Sequence, residues 1–325
     1  MLAELKFCMG AVSKKDLIPG MKHFCIEKGT VRAYNGALGL CAPIDFDIEC
    51  KPHAQQLIKA ISNCSEEHVV TISMTETGRL RVVNGNYKVF VDCIQEETPH
   101  VLPAGNWIPI DGKELRAAFA VLQPFVGSDA SRPDVNGILL HAQSAYATNN
   151  VIVAQYWLGT PIPLTLNVPS EAVREVLRVK EDATHIQVTE NSITFHFPDG
   201  RWIRSGLWQH TYLDQIVNLL ERVQGNPMPF PENFFEGLES VKPFVNKMGE
   251  VYFQNGEMTT ELSDGAGARY ALQGFPHAGC YVLEIMQKLD GVAKSIDLST
   301  YPNPCVWHGD KVRGLIVGRH LPNAS

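Results

Sequence analysis

One pattern, a proline followed by an apolar helical stripe and then short strands joined by turns, occurs three times in this chain and dictates repetition on the scale of whole domains. The first copy runs from Pro52 through Ala54, Leu57, Ile58 and Ile61 to Val69 to Met74, Arg79 to Val83, the turn Asn84-Gly85, and Tyr87 to Val91. The second runs from Pro169 through Ala172, Val173, Val176 and Leu177 to His185 to Thr189, Ile193 to Phe197, Asp199-Gly200, and Trp202 to Leu207. The third runs from Pro276 through Ala278, Val282, Ile285 and Met286 to Ser295 to Ser299, Cys305 to Trp307, Gly309-Asp310, and Val312 to Val317. Proline suits a first helical turn, where its missing N–H would be unpaired anyway, and apolar residues three and four apart make one buried stripe. Asn-Gly and Asp-Gly between alternating strands signal tight hairpins. The copies lie too far apart for a solenoid unit, so each belongs to its own domain.

A similar helix and strand set precedes each copy. The helices are predicted over Ser13 to Phe24, Asp111 to Leu122 and Pro231 to Val245, with following strands at Thr30 to Tyr34, Gly137 to His141 and Glu250 to Gln254. Pro and Gly cluster at Pro99 to Gly105 and at Gly225 to Pro231, which places the boundaries there. The expectation is an α+β protein of three tandem domains, 1–103, 104–224 and 225–325, each a duplicated unit of one helix plus antiparallel strands. A chain of 325 residues exceeds what one ordinary core supports, which agrees with that division.

One helix over a few strands buries only one face of each element, so the two halves of a domain must pack together. Outer strands can also pair between domains, which hides their edges. Three domains then form an arc, and two arcs joined head to tail close a ring with helices inside and sheets outside. Twelve helices at a lateral spacing of about 10 Å give a circumference of roughly 120 Å and a bore of roughly 38 Å, room for a duplex. Closure would use the terminal edges Tyr87 to Ile94 and Val312 to Val317.

Composition narrows the function classes. Hydrophobic residues make up 45% and charged ones 19%, an ordinary globular balance. The start, Met1-Leu-Ala-Glu-Leu-Lys, lacks a basic segment followed by an apolar run, and no stretch is long enough for a membrane span, so a cytoplasmic protein without membrane contact is expected. Eight cysteines show no CxxC pair or zinc spacing and are expected to be reduced core residues. Asp45 and Asp47 alternate onto one solvated strand face, so no metal is expected there. GxxxxGK, HExxH and GxSxG are absent, the histidines form no short-spaced pair on a helix, and Gly265-Ala-Gly267 lacks the βα unit of a dinucleotide loop. A non-enzymatic protein without cofactor is expected. A net charge of −7 permits phosphate binding only if the basic side chains gather on one face.

In the middle domain, Ser131-Arg-Pro-Asp-Val-Asn-Gly-Ile-Leu-Leu-His141 and Ala147-Thr-Asn-Asn150 resemble the Arg-Pro…Asn-Gly strand and the Ala-Thr-Asp-Gly turn of the bacterial DNA sliding clamp, the beta subunit of the replicative polymerase. Gly309-Asp-Lys-Val-Arg-Gly-Leu-Ile-Val-Gly-Arg-His-Leu321 resembles that family's closing strand and tail. The family's Asp-Gly-His-Arg reads Asn149-Asn150-Val151-Ile152 here, the first domain lacks the Arg-Pro segment, and the chain runs on as Pro-Asn-Ala-Ser325, marks of a divergent clamp in the manner of a phage protein.

The resemblance implies a homodimeric ring on double-stranded DNA, bound without regard to sequence, that tethers a DNA polymerase and is loaded by a clamp loader through short linear peptides. It implies a peptide pocket drawn from Val135, Thr148, Asn150, Val151, Ile152, Val153, Leu213, Val217, Leu315, Val317, Gly318, Arg319, His320 and Leu321. The DNA face would be the helices carrying Lys14, Lys15, Lys22, Lys59, Lys113, Arg116, Arg174, Arg178, Lys242, Lys247 and Lys288, because sliding needs diffuse phosphate attraction and no base readout. Arg132 suits either DNA or bracing of the next strand. The alternative is a clamp-like binding protein that never encircles DNA, such as a modulator of the host clamp; closure of the outer edges separates the two.

Overall fold

The apolar stripes fold as helices α1 (Leu2–Cys8), α2 (Ala54–Ser62), α3 (Gly112–Leu122), α4 (Ser170–Arg178), α5 (Leu213–Arg222), α6 (Phe234–Val241) and α7 (Leu283–Gln287). This computed structural model describes residues 1–325 except 16, 17, 47, 223, 224, 264 and 322–325, together with the side chains of 19, 213–215 and 222. The expectation for Asp47 therefore lies outside the described residues. The chain divides into two compact units, Met1–Arg116 with Glu171–Leu207, and Ala117–Ser170 with Trp208–Ser325.

In the first unit a seven-stranded sheet runs in the order Cys25–Glu27, Thr30–Tyr34, Leu38–Pro43, Trp202–Gly206, Ser192–His196, His185–Val188, Asn106–Pro109. Its middle joint is antiparallel, with Ile203 opposite Leu40 and Trp202 opposite Cys41, so strands of the predicted first and second domains share one ladder. Alternation is plain in Thr30–Tyr34, where Val31 and Ala33 point into the core. Helix α1 covers that face with Leu5, Phe7 and Cys8. A three-stranded sheet, Val70–Met74, Leu80–Asn84, Tyr87–Val91, completes this unit with α2 beside it. Gly85 (φ +57°) and Gly200 (φ +83°) occupy the predicted turns in the left-handed region that glycine enters without strain.

The second unit holds a six-stranded sheet in the order Met228–Pro229, Ser295–Asp297, Cys305–His308, Val312–Ile316, Ile152–Pro169, Gly137–Thr148. A four-stranded sheet runs Arg269–Ala271, Glu257–Thr259, Glu250–Gln254, Gly279–Val282. Phe234 of α6 stacks on Phe253 at 5.7 Å between ring centroids and anchors the aromatic core beneath this second sheet.

Three expectations are corrected. The first helix is α1 at Leu2–Cys8, not Ser13 to Phe24, where among the described residues only the 3-10 turn Pro19–Lys22 forms. Leu2, Leu5 and Cys8 supply an apolar stripe, whereas Lys14-Lys15 has none and Pro19-Gly20 cannot propagate a helix. Pro276 does not open a helix: Gly279–Val282 is a strand and α7 starts only at Leu283. Cys280 and Tyr281 are both buried there, and the strand pairs with Glu250–Gln254 on one side while Cys280 bridges to Arg319 on the other. Finally, Val312–Ile316 is no open edge, since it pairs with Cys305–His308 on one side and with Ile152–Tyr156 on the other.

All eight cysteines are free thiols, and burial pushes Cys41 up to about 11 and Cys50 up to about 12. Among the described residues no helix is long and apolar enough to cross a membrane.

His277 sits among Phe253, Phe275, Tyr281 and Tyr301, and burial lowers its pKa from 6.5 to about 4. The folded form therefore refuses a proton that the unfolded chain accepts, so stability is lost as pH falls from 6.5 toward about 4. The His277→Phe variant is expected to lose less thermal stability than the parent between pH 7 and pH 5; an equal loss in both would remove His277 as the cause.

Candidate partner and nucleic-acid surfaces

The residues expected to line a peptide pocket lie in the second unit, where the long strands Gly137–Thr148 and Ile152–Pro169 turn back at Asn149-Asn150. The hydroxyl of Thr148 donates to the Ile152 carbonyl at 2.9 Å and accepts from the Asn150 N–H at 3.1 Å. Asn149 Oδ1 accepts from the N–H groups of Val151 and Ile152, and Asn150 takes φ +72°, a region asparagine tolerates. Two Asn residues thus make the turn for which the family pattern uses Asp-Gly.

Val135, Thr148, Ile152 and Leu315 are buried outright, Val153 and Val217 are half-buried, and Val151 and Val317 remain exposed. The Val317 N–H donates to the Val151 carbonyl at 3.0 Å, which sets these two valines side by side just beyond the Ile152–Ile316 end of the ladder. Leu213 begins α5, and its side chain lies outside the described residues. What covers Val135 and Leu315 is a cluster whose other members lie outside the expected pocket: Leu139, Tyr146, Tyr212, Ile216, Leu220 and Val306. The spacing of Tyr212, Ile216 and Leu220 by four is a helical stripe, and α5 lays it onto the sheet. Tyr212 Oη donates to the Tyr146 carbonyl at 3.0 Å, and burial raises the Tyr212 phenol far above its usual range.

The tail is pinned at Arg319. Its N–H donates to the Cys280 carbonyl at 2.8 Å, its carbonyl accepts from Tyr301 Oη, and its guanidinium meets Glu250 at 2.8 Å. Burial alone would raise the Glu250 carboxyl, but hydrogen bonds from Arg319 and Asn246 outweigh it and hold the group below its ordinary value. Gly318 leaves room for the Tyr301 ring, which a Cβ would strike. His320 is exposed and Leu321 half-buried.

The basic residues fall into three groups. In the first unit Lys14 and Lys15, in bends after α1, and Arg174 and Arg178, on α4, line one cleft of about 810 Å³ with Lys6, against two acids, Glu171 and Glu175. Arg178 is partly engaged there, donating to Glu175 and, at 2.6 Å, to the Phe7 carbonyl. Lys59, Lys113 and Lys247 are exposed, as is Lys242, which lies 3.7 Å from Glu239. Lys22 and Lys288 are half-buried, and burial lowers the Lys288 pKa.

Arg116 and Arg132 serve local structure. Arg116 donates to Asp182 at 2.6 Å and to the carbonyls of Leu177, Val179 and Glu181, which fixes the chain leaving α4. Arg132 forks onto Asp134 at 3.1 and 2.8 Å and braces the 3-10 turn Pro133–Val135. Among the described residues no three His, Cys, Asp or Glu side chains converge as a metal site requires.

No family model and no curated protein matches the sequence. Solved structures do match over nearly the whole chain. The sliding clamp (DNA polymerase III subunit beta) of Bartonella birtlesii, bound to griselimycin, is 16% identical with a TM-score of 0.85, covering 98% of this chain and 97% of that one. The beta subunit of Streptococcus pyogenes DNA polymerase is 16% identical at 0.84 with the same coverage. The DNA polymerase III subunit beta of Pseudomonas aeruginosa is 15% identical at 0.83, again covering 98% and 97%. At such low identity these matches speak to architecture, and they agree with the clamp-like strands around Asn136-Gly137 and Val312–Ile316: this chain has the fold of the bacterial beta sliding clamp, in a strongly divergent sequence.

Proposed function

We propose that this chain is a non-enzymatic, cytoplasmic DNA sliding clamp of three domains, 1–103, 104–224 and 225–325, that closes head to tail with a second copy around duplex DNA. It tethers a polymerase and other partners through peptides seated at the Val151–Val317 strip. The observation that carries the reading is a repeated joint with one half left over at each end. Leu38–Pro43 pairs with Trp202–Gly206, and Ile152–Pro169 pairs with Val312–Ile316. Each time, the last strand of one domain's first half meets the last strand of the next domain's second half. By that rule the remaining partners are Arg269–Ala271 and Tyr87–Val91, each at the edge of its sheet.

Side chains support the same reading. After α3 the sequence Pro124-Phe125-Val126 makes a 3-10 turn whose Phe125 is fully buried against Trp307. After α6 the same triplet, Pro243-Phe244-Val245, makes the same turn, yet Phe244 is 59% exposed. Counting from the hairpin turns, Phe90 of Tyr87–Val91 stands where Leu315 stands in Val312–Ile316; Leu315 is 3% exposed and Phe90 is 47%. Two large apolar groups, one in the first and one in the third domain, thus lack the cover that the interior joint gives their counterparts. A second copy would supply it.

DNA would be held by collective attraction of Lys14, Lys15, Arg174 and the other exposed cations. Replacing Lys14, Lys15 and Arg174 together by Gln is expected to weaken retention on nicked circular DNA by about tenfold or more and to flatten its salt dependence. Unchanged retention and unchanged salt slope would exclude the first-unit cleft from the DNA path.

A further inference from the structure

We propose that the partner peptide carries acidic residues beside its apolar anchors, read by a cationic pocket around Trp157 that continues the partner site along the same sheet face. This inference rests on the peptide-tethering reading above. Val153, Gln155 and Trp157 alternate onto one face of the strand Ile152–Pro169, and Leu315 and Arg313 stand opposite Val153 and Gln155 on the neighbouring strand. At the Val153 end, α5 covers this face and makes it apolar. Toward Trp157 it opens into a pocket of about 340 Å³ lined by Gln155, Trp157, His308, Lys311, Val312 and Arg313.

The chemistry of that pocket is specific. Trp157 is 53% exposed, a large aromatic platform left in solvent. Lys311 and Arg313 are both exposed at its side in a chain whose net charge is −7. Arg313 Nε donates to Gln155 Oε1 at 2.7 Å, and Gln155 is itself fixed by Ser144 at 2.9 Å and Tyr146 at 3.2 Å. That leaves the guanidinium oriented with no carboxylate paired to it among the described residues. His308 Nδ1 is buried without a hydrogen-bond partner. The Trp157 backbone N–H donates to the Lys311 carbonyl at 2.8 Å, which ties the platform to the cationic turn.

Val153 and Trp157 are separated by about 13 Å along the strand, the reach of roughly four extended residues. A peptide anchored by apolar side chains near Val153 and Val317 therefore delivers its neighbouring residues to the cations. A carboxylate meeting the oriented Arg313 guanidinium makes charge-assisted hydrogen bonds, and an aromatic or aliphatic residue beside it covers the Trp157 ring. A single strand of nucleic acid would also answer to an aromatic ring and two cations, but continuity with the apolar end favours a peptide.

The test uses fluorescence polarisation with the full chain and two labelled hexapeptides, Leu-Leu-Ser-Asp-Asp-Phe and Leu-Leu-Ser-Asn-Asn-Phe, each also in reversed order. The Asp peptide in one of the two orders is expected to bind about tenfold more tightly than its Asn counterpart. The gap should close in the Lys311→Gln, Arg313→Gln variant and shrink in high salt, while the Asn peptide binds parent and variant alike. Both positions are exposed, so the variant should keep the parent's thermal midpoint. Equal binding of Asp and Asn peptides would overturn this inference and leave the tethering reading standing. Failure of every peptide to bind would overturn the tethering reading and this inference with it. Displacement of the Asp peptide by oligothymidylate, lost in the same variant, would reassign the pocket to single-stranded nucleic acid.

Discussion

The Phe244→Asp variant is expected to run as a monomer of 36.0 kDa under conditions where the parent runs at about twice that mass. Phe244 is 59% exposed in the single chain, so the substitution leaves the fold of its own unit nearly untouched. In the proposed joint it loses an apolar anchor of about 1.5–3 kcal/mol and places a carboxylate where no partner charge is provided. A ring of two copies contains that joint twice, so the loss is counted twice and the dimer dissociation constant should rise by about four orders of magnitude. Phe90→Asp, on the opposite edge, should do the same. Light scattering across a concentration series reads the mass, and a thermal melt shows whether the chain is still folded. Dimers that persist in both variants would move the joint elsewhere.

Trp307→Ala is the largest expected loss of stability. Trp307 is fully buried, stacks on Phe125 at 5.7 Å with the planes 19° apart, and rests on Gly314, where a Cβ would come within 2.4 Å of the indole. Emptying that site removes the indole's transfer energy and leaves a cavity that the neighbouring strands cannot close, a cost of about 3–5 kcal/mol. That is a large part of the roughly 5–15 kcal/mol that holds an ordinary domain together. The transition of the second unit should fall by about 10 °C, at 2–4 °C per kcal/mol for a unit of this size. A shift below about 2 °C would mean that the indole is not packed as described.

The periodic elements were legible because each rests on local sequence. Val31 and Ala33 alternate, Leu115, Ala118, Phe119 and Leu122 form a helical stripe, and Cys305, Val306 and Trp307 make an unbroken buried apolar run. Errors arose where a proline misled. Pro276 precedes a strand because burial of Cys280 and Tyr281 outweighs helix propensity, and Pro19 permits only one 3-10 turn. The pairing of Val312–Ile316 with Ile152–Tyr156 joins residues about half the chain apart and carries no local mark, which is why Val312 to Val317 reads from sequence as an open edge. Of the expected pocket, the resemblance implies Val135 and Leu315 but does not show that α5 packs over them. Tyr212, Ile216 and Leu220 carried a readable stripe, whereas Tyr146 and Val306 are recruited only by tertiary packing.

Topological linkage to DNA is the central claim, and retention on nicked circular DNA before and after linearisation tests it most directly. A species of about twice 36.0 kDa that stays on circles in moderate salt and is lost once ends are cut is the predicted result. Equal retention on circles and linear molecules, or a monomer retained on neither, would contradict encirclement and favour the clamp-like binding protein that never closes around DNA.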